Sequence, residues 1–575
     1  MIGESKSWFD QVTEKLRIDG KRCAKELYPT LSFDAFRQYQ KTGDRKRYEY
    51  LYFKRRKRLT TFGLLFYLYP ENKRYLHELE NAIWYVCNEF TWCLPAHLDP
   101  TLEGQSYQDF KQTGNVQYTV DLFACETAFT LAEMITLFEE QLDSFLVEKA
   151  KIEVERRVFI PFQNRTQWWE TATHNWAAVC GCSIGAAALY LITDRQEKKA
   201  MIQRVLQTME YYLSGFEEDG ACVEGYHYWQ YGFGYYIYFA DLLKRFNDVD
   251  LLTNEKIKAI AMLQQRLFLD GTYVVNYSDA EAIAYPRMGF THYLHHRFSD
   301  VHIPTIDFGT KEIVDHCGRW APAIRELWWF DPSLKGKDWV DEEYVFAYAG
   351  IFLSRIDHTA FSVKAGHNYE PHNHNDIGHF ILYAHGTVFF RDLGSGQYHQ
   401  NYFNDHRYQY ICNSAEGHSV PIVNGKYQQA GSQFRGAMKE VDQHEERSRI
   451  TIDLSAAYAD HTLIHCSRTF TWHKTDQKKL MVEDRFDFTE CPSSVVESFI
   501  ADDLPFQEYE DKLVLFGKEG HLHLLFDRER VQPSVHRRSF MNHQGKQDYF
   551  LHICFVALIL TKHVKLSFDM RFVQE

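Results

Sequence analysis

The sequence has no run of apolar residues long enough to cross a bilayer. Its opening stretch, MIGESKSWFDQVTEKL, holds no apolar core of the kind a secretory leader needs. The expectation is a cytoplasmic protein with no membrane partner. The 12 cysteines are scattered and form no paired CxxC motifs, so reduced, buried thiols fit better than a disulfide framework or a cysteine-ligated zinc site. Positive charge is in deficit. Lys and Arg number 64 against 78 Asp and Glu, a net charge of −14, which disfavours nonspecific binding to nucleic acid or anionic lipid. A polyanionic substrate would need a local cluster of cations and neutral donors. No strict internal repeat is visible.

Aromatic residues are in surplus at 16%, with 36 Tyr, 43 Phe and 12 Trp. Such rings line clefts for sugars and also fill cores. Hydrophobic residues at 45% and charged residues at 25% describe a folded chain. Its 575 residues exceed one ordinary core and imply two large domains.

Apolar residues recur at helical spacing to about residue 330, in segments such as DLFACETAFTLAEMITLFEEQLDSFLVEKAKIEVERRV, WAAVCGCSIGAAALYLI and GFGYYIYFADLLKRF. Short loops between them imply antiparallel helical hairpins, arranged as a bundle, solenoid or toroid. At FDPSLKGKDWVDEEY the pattern changes. Beyond it the period is two, in HFILYAH, TVFFRDL, RSRITIDLSAAY and KLMVEDRFDF among others, which implies an antiparallel domain of two packed sheets. The expected division is a helical domain over 1–335, a linker over 336–344 and a β domain over 345–575. A cleft between the domains is the expected place for a ligand.

Three constellations carry chemistry. EPHNHNDIGHFILY, from Glu370, places His372 and His374 two residues apart among Asn373, Asn375, Asp376 and His379. In an extended strand both imidazoles would project to one face, one for proton transfer and one for a metal. A solvated His-rich loop is the bland alternative. His374, Asp392 in RDLGSG and His418 in GHSVPIVNG come from neighbouring β segments and together suit Zn²⁺ or a similar divalent ion. In the helical half, THNWAAVC supplies His174, Asn175 and Trp176 at a helix start, where Asn175 is a natural cap. EDGACVEGYHYWQYGFGYY supplies Glu224, Tyr226, His227, Tyr228, Trp229 and Tyr231, either a sugar-facing wall with a phenol for proton transfer or a packing cluster.

With HNW, EGYHYWQYG, HNHND, RDLGSG and GHSVPIVNG in this order, the chain from about Trp92 onward resembles the heparinase II/III-like polysaccharide lyases, which include heparin, chondroitin, hyaluronan and alginate lyases. The resemblance implies a fold of an incomplete (α/α) toroid followed by an antiparallel β-sandwich-like domain. It also implies β-elimination on 4-linked uronic-acid glycans, most of all glycosaminoglycans. By motif, His174 and Asn175 would contact the uronate carboxylate, Tyr228 would be the catalytic phenol, and His372 would be a second base or the activator of Tyr228. These groups are expected to converge on one groove. Tyr226 and Tyr231 compete with Tyr228 for the phenol role. Trp176, Glu224, Trp229, Arg165, His97 and Arg407 are the expected substrate-binding residues, Arg407 being equally readable as a buried structural arginine. His374, Asp392 and His418 would hold one structural divalent metal, zinc first, with manganese or calcium as alternatives. The pattern's usual His-Asn pair reads His418-Ser419 here.

The partner is then an acidic polysaccharide or oligosaccharide, acted on by a monomer or homodimer. An alginate or oligoalginate lyase would use the same chemistry. A glycoside hydrolase would need paired carboxylates, for which Glu224 and Asp376 are candidates. A noncatalytic glycan-binding protein would leave the acid/base array without a purpose.

Overall fold

The structure, a computed structural model, describes residues 7–98, 116–404, 406–475 and 478–574. It divides into two compact units. The first comprises Met1–Phe216, Tyr228–Lys258 and Tyr285–Gly336; the second comprises Glu217–His227, Ala259–Ala284 and Lys337–Glu575.

The first unit is built of helical hairpins. The long segment after Asp121 is a helix pair, Leu122–Leu137 and Ser144–Val154, each opened by an aspartate cap. Helix Leu122–Leu137 packs on Asn175–Leu191, which packs on Arg195–Ser214. The small residues of the middle helix make this possible: a Cβ on Gly185 would lie 2.6 Å from the Phe239 ring. Glu133 accepts from both terminal nitrogens of Arg325, at 3.0 and 2.8 Å, and from Trp320 Nε1 at 2.8 Å, tying helix Trp320–Trp329 into the interior. Among the described residues no helix is long and apolar enough to cross a membrane, and all 12 cysteines are free.

The second unit holds two nine-stranded antiparallel sheets. Phe361, Phe380 and Phe499 of one sheet meet Phe470 and Phe568 of the other, with centroid separations of 5.2 Å (Phe361–Phe470), 5.5 Å (Phe380–Phe470) and 5.0 Å (Phe499–Phe568). The alternation read from the sequence puts these rings inside and polar residues outside.

The expected boundaries need adjustment. The first strand of the second sheet, Glu342–Phe346, already occupies the expected linker. Two segments expected in the helical domain, Glu217–His227 and Ala259–Ala284, belong to the β unit. Their polar groups are satisfied there: Tyr277 donates to Ser362 Oγ at 3.1 Å, Asn276 to the Asp392 carbonyl at 3.2 Å, and Trp339 Nε1 to the Gly271 carbonyl at 2.8 Å.

Candidate active site and metal centre

The HNHND segment is a turn between strands Gly366–Asn368 and Phe380–Ala384, not the extended strand that its spacing invites. His372 sits in the left-handed region at φ 57°, a conformation that costs a non-glycine residue about 1–3 kcal/mol and persists only where its surroundings hold it. What holds it is Asp279, a residue the motifs did not single out. His372 Nδ1 donates to Asp279 Oδ2 at 2.8 Å and His374 Nε2 to Oδ1 at 3.1 Å. Tyr402 donates to Oδ1 at 2.7 Å and Arg407 Nη2 to Oδ2 at 2.8 Å. Burial works to raise the Asp279 pKa, but the two histidine bonds and the Arg407 charge outweigh it and hold the carboxyl well below its usual range. For His372, burial pulls the pKa down, while the Asp279 bond and the charges of Glu224 and Asp279 prevail and raise it. Glu224 Oε1 lies 3.8 Å from His372 Nε2.

His374, Asp392 and His418 gather into one buried cluster. The hydrogen bonds fix the tautomers of the two imidazoles. His374 gives its Nε2 proton to Asp279, and His418 gives its Nδ1 proton to the Ser414 carbonyl at 2.8 Å. The remaining nitrogens, His374 Nδ1 and His418 Nε2, are both lone-pair atoms in the neutral rings, and they face each other at 3.3 Å. Asp392 Oδ2 lies 3.4 Å from His418 Nε2 and is buried without a hydrogen bond. Three electron-pair donors aimed at one spot repel unless a cation stands among them, so the residues present fit a divalent metal.

His379, three residues past the HNHND motif and not among the expected ligands, is a neighbour of this cluster. Its Nδ1 accepts from the Ser419 N–H at 2.8 Å, which leaves the proton on Nε2, 3.5 Å from Asp392 Oδ2. Ser419, where the usual pattern has Asn, thus braces His379, and its hydroxyl accepts from Ile500 N–H at 2.9 Å. Buried Arg468 donates to the carbonyls of Gly378 and Ser419, at 3.1 and 2.6 Å, and so pins the residues beside His379 and His418.

In the helical unit the cap of Asn175–Leu191 is His174, not Asn175, which is the first helical residue. His174 Nδ1 accepts from Trp176 N–H at 3.5 Å, leaving the Nε2 proton available to a ligand. The Trp176 ring lies 5.0 Å from His97 and 4.8 Å from Trp168. His97 donates from Nδ1 to Asp121 at 2.7 Å. Trp168, 63% exposed and 6.2 Å from the His174 ring, extends this strip and was missed because nothing in QWWET marks one tryptophan as outward-facing. Helix Tyr226–Asn247 reaches the same place. A Cβ on Gly232 would lie 3.1 Å from Asn175 Cβ. Tyr228, half-buried, is one turn earlier on the same face of that helix.

Several expected residues have other roles. Trp229 is fully buried between Phe233 and Phe290, each with its ring centroid 5.8 Å away, so it is core and no sugar can reach it. Arg407 is engaged within the protein: besides Asp279 it donates to the carbonyls of Asn373 and Tyr402, at 3.0 and 3.2 Å. Asp376 is buried against Lys364 Nζ, at 3.0 and 3.1 Å, which removes it as a hydrolase carboxylate. Tyr226 is buried and donates to Gln264 at 3.0 Å. Burial raises the Tyr231 pKa well above its ordinary value, with Arg319 stacked 4.1 Å from its ring. Arg165 is exposed just after helix Ile160–Asn164, its carbonyl accepting from Arg204 at 2.6 Å.

Residues 343–490 match the family described as heparinase II/III-like, C-terminal. This stretch is a heparinase II/III-like C-terminal domain. It contains HNHND, RDLGSG and GHSV, and hence His372 and all three cluster residues. No curated protein matches the chain in sequence. Among solved structures, a heparinase III gene product aligns over 100% of this chain and 85% of its own at TM-score 0.66 and 13% identity. The heparan sulfate lyase HepC from Pedobacter heparinus aligns over 99% and 83% at TM-score 0.63 and 13% identity. The chondroitin AC lyase of Streptomyces coelicolor A3 aligns over 100% and 80% at TM-score 0.56 and 8% identity. At these identities the likeness establishes the fold: a helical toroid followed by an antiparallel β-sandwich that includes the heparinase-like domain.

Proposed function

We propose that the protein is a polysaccharide lyase that cleaves 4-linked uronic-acid glycans by β-elimination, with glycosaminoglycans such as hyaluronan, chondroitin and heparosan or heparan as substrates. The observation that carries this reading is the contact of Gly232 with Asn175, which brings the helix bearing Tyr228 to the amide at the start of helix Asn175–Leu191. The lyases of like fold, and the heparinase-like domain, support it.

The C5 proton of a uronate is poorly acidic while the neighbouring carboxylate keeps its charge. The Asn175 amide and the His174 Nε2–H are the donors that draw off that charge and stabilise the enolate-like transition state. A base takes the C5 proton, His372 or the ionised Tyr228, and the C4–O4 bond breaks as the C4–C5 double bond forms. The Tyr228 phenol protonates the departing O4. Water takes no part in bond cleavage. Trp168 and Trp176 offer ring faces to neighbouring sugars.

The metal proposed for His374, Asp392 and His418 is zinc. His374 Nδ1 and His418 Nε2, 3.3 Å apart, and Asp392 Oδ2, 3.4 Å from His418 Nε2, are a two-imidazole, one-carboxylate donor set that would suit zinc. Held by these three residues, it would brace the turn that presents His372.

The test is incubation with hyaluronan, chondroitin sulfates, heparosan, heparin and alginate, followed by the ultraviolet absorbance of the unsaturated uronate product. A chromophore produced by the wild type and lost in Tyr228→Phe supports the reading. Saturated products without the chromophore overturn it in favour of hydrolysis, and normal turnover by Tyr228→Phe removes the phenol assignment.

A further inference from the structure

We infer that Asp279 is a positioning residue that couples the orientation of His372 to the integrity of the His374/Asp392/His418 centre. The kinetic part of this inference rests on the lyase reading; the metal part does not.

A carboxylate has four lone-pair positions, and Asp279 receives four donors: Tyr402 and His374 on Oδ1, His372 and Arg407 on Oδ2. Each imidazole is thereby set in one tautomer. Because His374 must present a hydrogen to Oδ1, its Nδ1 is the bare nitrogen that faces His418. Because His372 must present a hydrogen to Oδ2, the proposed proton transfer falls to its Nε2, which lies 3.8 Å from Glu224 Oε1. One side chain thus decides which nitrogen each ring offers to its task.

The backbone is tied into the same arrangement. Arg407, bound to Asp279, also donates through Nε to the carbonyl of Asn373, the residue between the two histidines. Three positions upstream of Asp279, Asn276 donates to the carbonyl of Asp392 itself. Gly394, two residues past Asp392, adopts φ 65° and passes so close to the Ala280 carbonyl that a Cβ would lie 2.5 Å from it. The segment from Asn276 to Ala280 therefore touches one proposed base, one histidine and the carboxylate-bearing loop of the metal cluster. Asp279 contacts both histidines of the HNHND turn through one functional group.

Asp279→Asn in the full chain tests the coupling. An amide has one acceptor oxygen and must point its NH₂ at the donors on its other side, so one imidazole loses its partner or turns, and the shift of the shared side chain and of Arg407, bonded to it and to the Asn373 carbonyl, misaligns the other. Bound Zn²⁺ is measured after dialysis, and Co²⁺ is titrated by its visible absorption. Affinity for either ion is expected to fall about 10–100-fold. Under saturating metal, kcat is expected to stay at least about tenfold below wild type while KM changes less than about twofold, because His372 remains misaligned. Metal affinity equal to wild type overturns the inference, and so does full recovery of kcat on metal saturation, which would confine Asp279 to the metal centre. If Asp279→Asn does not fold, judged by thermal unfolding, Tyr402→Phe removes a single donor from Oδ1 and is expected to weaken Co²⁺ binding by a few-fold with a matching loss in kcat; no change in either overturns the coupling. A wild type that cleaves no uronate glycan defeats the lyase reading alone, since the metal measurement still reports on Asp279.

Discussion

Gly232 leaves room for Asn175: a Cβ at position 232 would lie 3.1 Å from Asn175 Cβ, 3.2 Å from its Cα and 3.0 Å from the Tyr212 hydroxyl. Gly232→Ala adds a better helix former in mid-helix, a gain of up to about 1 kcal/mol in propensity, yet forces Asn175 aside by a few tenths of an ångström. The expected outcome is unchanged or slightly raised thermal stability with kcat reduced at least tenfold. Normal kcat in a stable variant would show that the placement of Asn175 is immaterial.

Removal of the proposed reacting groups should leave the fold intact. Tyr228→Phe is expected to lower kcat by about 10²–10⁴ through loss of the proton donor. Asn175→Ala is expected to lower it by about 10²–10³ through loss of one donor to the developing charge. Circular dichroism and kinetics on the same samples check both.

Trp168 tests the sugar-binding strip. Its ring is 63% exposed beside Trp176, so Trp168→Ala should cost little stability. Losing one stacking face is worth about 1 kcal/mol, or roughly fivefold in KM at constant kcat. The effect should grow with oligosaccharide length if the ring meets a sugar away from the cleaved bond.

Metal removal should act on stability before it acts on chemistry. A ligand at a hundredfold excess over its Kd stabilises the folded state by about 2.7 kcal/mol. Chelation should therefore lower the apparent unfolding temperature, and added Zn²⁺ should restore it in the wild type. His418→Ala should unfold at the lower temperature with or without the ion. Calorimetry with metal analysis decides the matter.

His292 gives a pH dependence remote from the site. Its Nδ1 accepts from the Asp331 N–H at 2.9 Å, the residue is fully buried, and burial pushes its pKa from 6.5 down to about 4. The unfolded chain takes up this proton as the pH drops below about 6.5, the folded chain only near 4. Between those values the unfolded state binds more protons, so stability falls with falling pH, by at most about 3 kcal/mol for this group. His292→Asn, which keeps an acceptor for Asp331, should lose less stability between pH 7 and pH 5 than the wild type in urea denaturation. Equal slopes would exclude His292 as a source of acid lability.

The change of period near residue 340 made the order of helical and β domains legible, because amphipathic patterning is a local property of the chain. RDLGSG, HNHND and GHSV also delivered His374, Asp392 and His418, which the fold gathers into one cluster. Asp279 escaped because nothing local distinguishes NYSDAEA from a polar turn; its meaning lies in a contact with His372 across 93 positions. Trp229 misled for the converse reason: on a helix whose aromatic residues run nearly all the way round, sequence does not say which ring faces the core. The bonds of Arg407 to Asp279 and to two carbonyls were not legible either, since a guanidinium's partners are set by tertiary structure.

The carboxylate that sets both histidines is made before the turn that carries them, and it lies outside the stretch 343–490 that the family pattern covers. A fragment starting at Lys337 would keep every strand of both nine-stranded sheets and all three cluster residues, yet it would lack Asp279, Asn276 and Glu224. Cutting this chain where its periodicity changes would thus yield a β-sandwich whose histidines have lost the group that orients them.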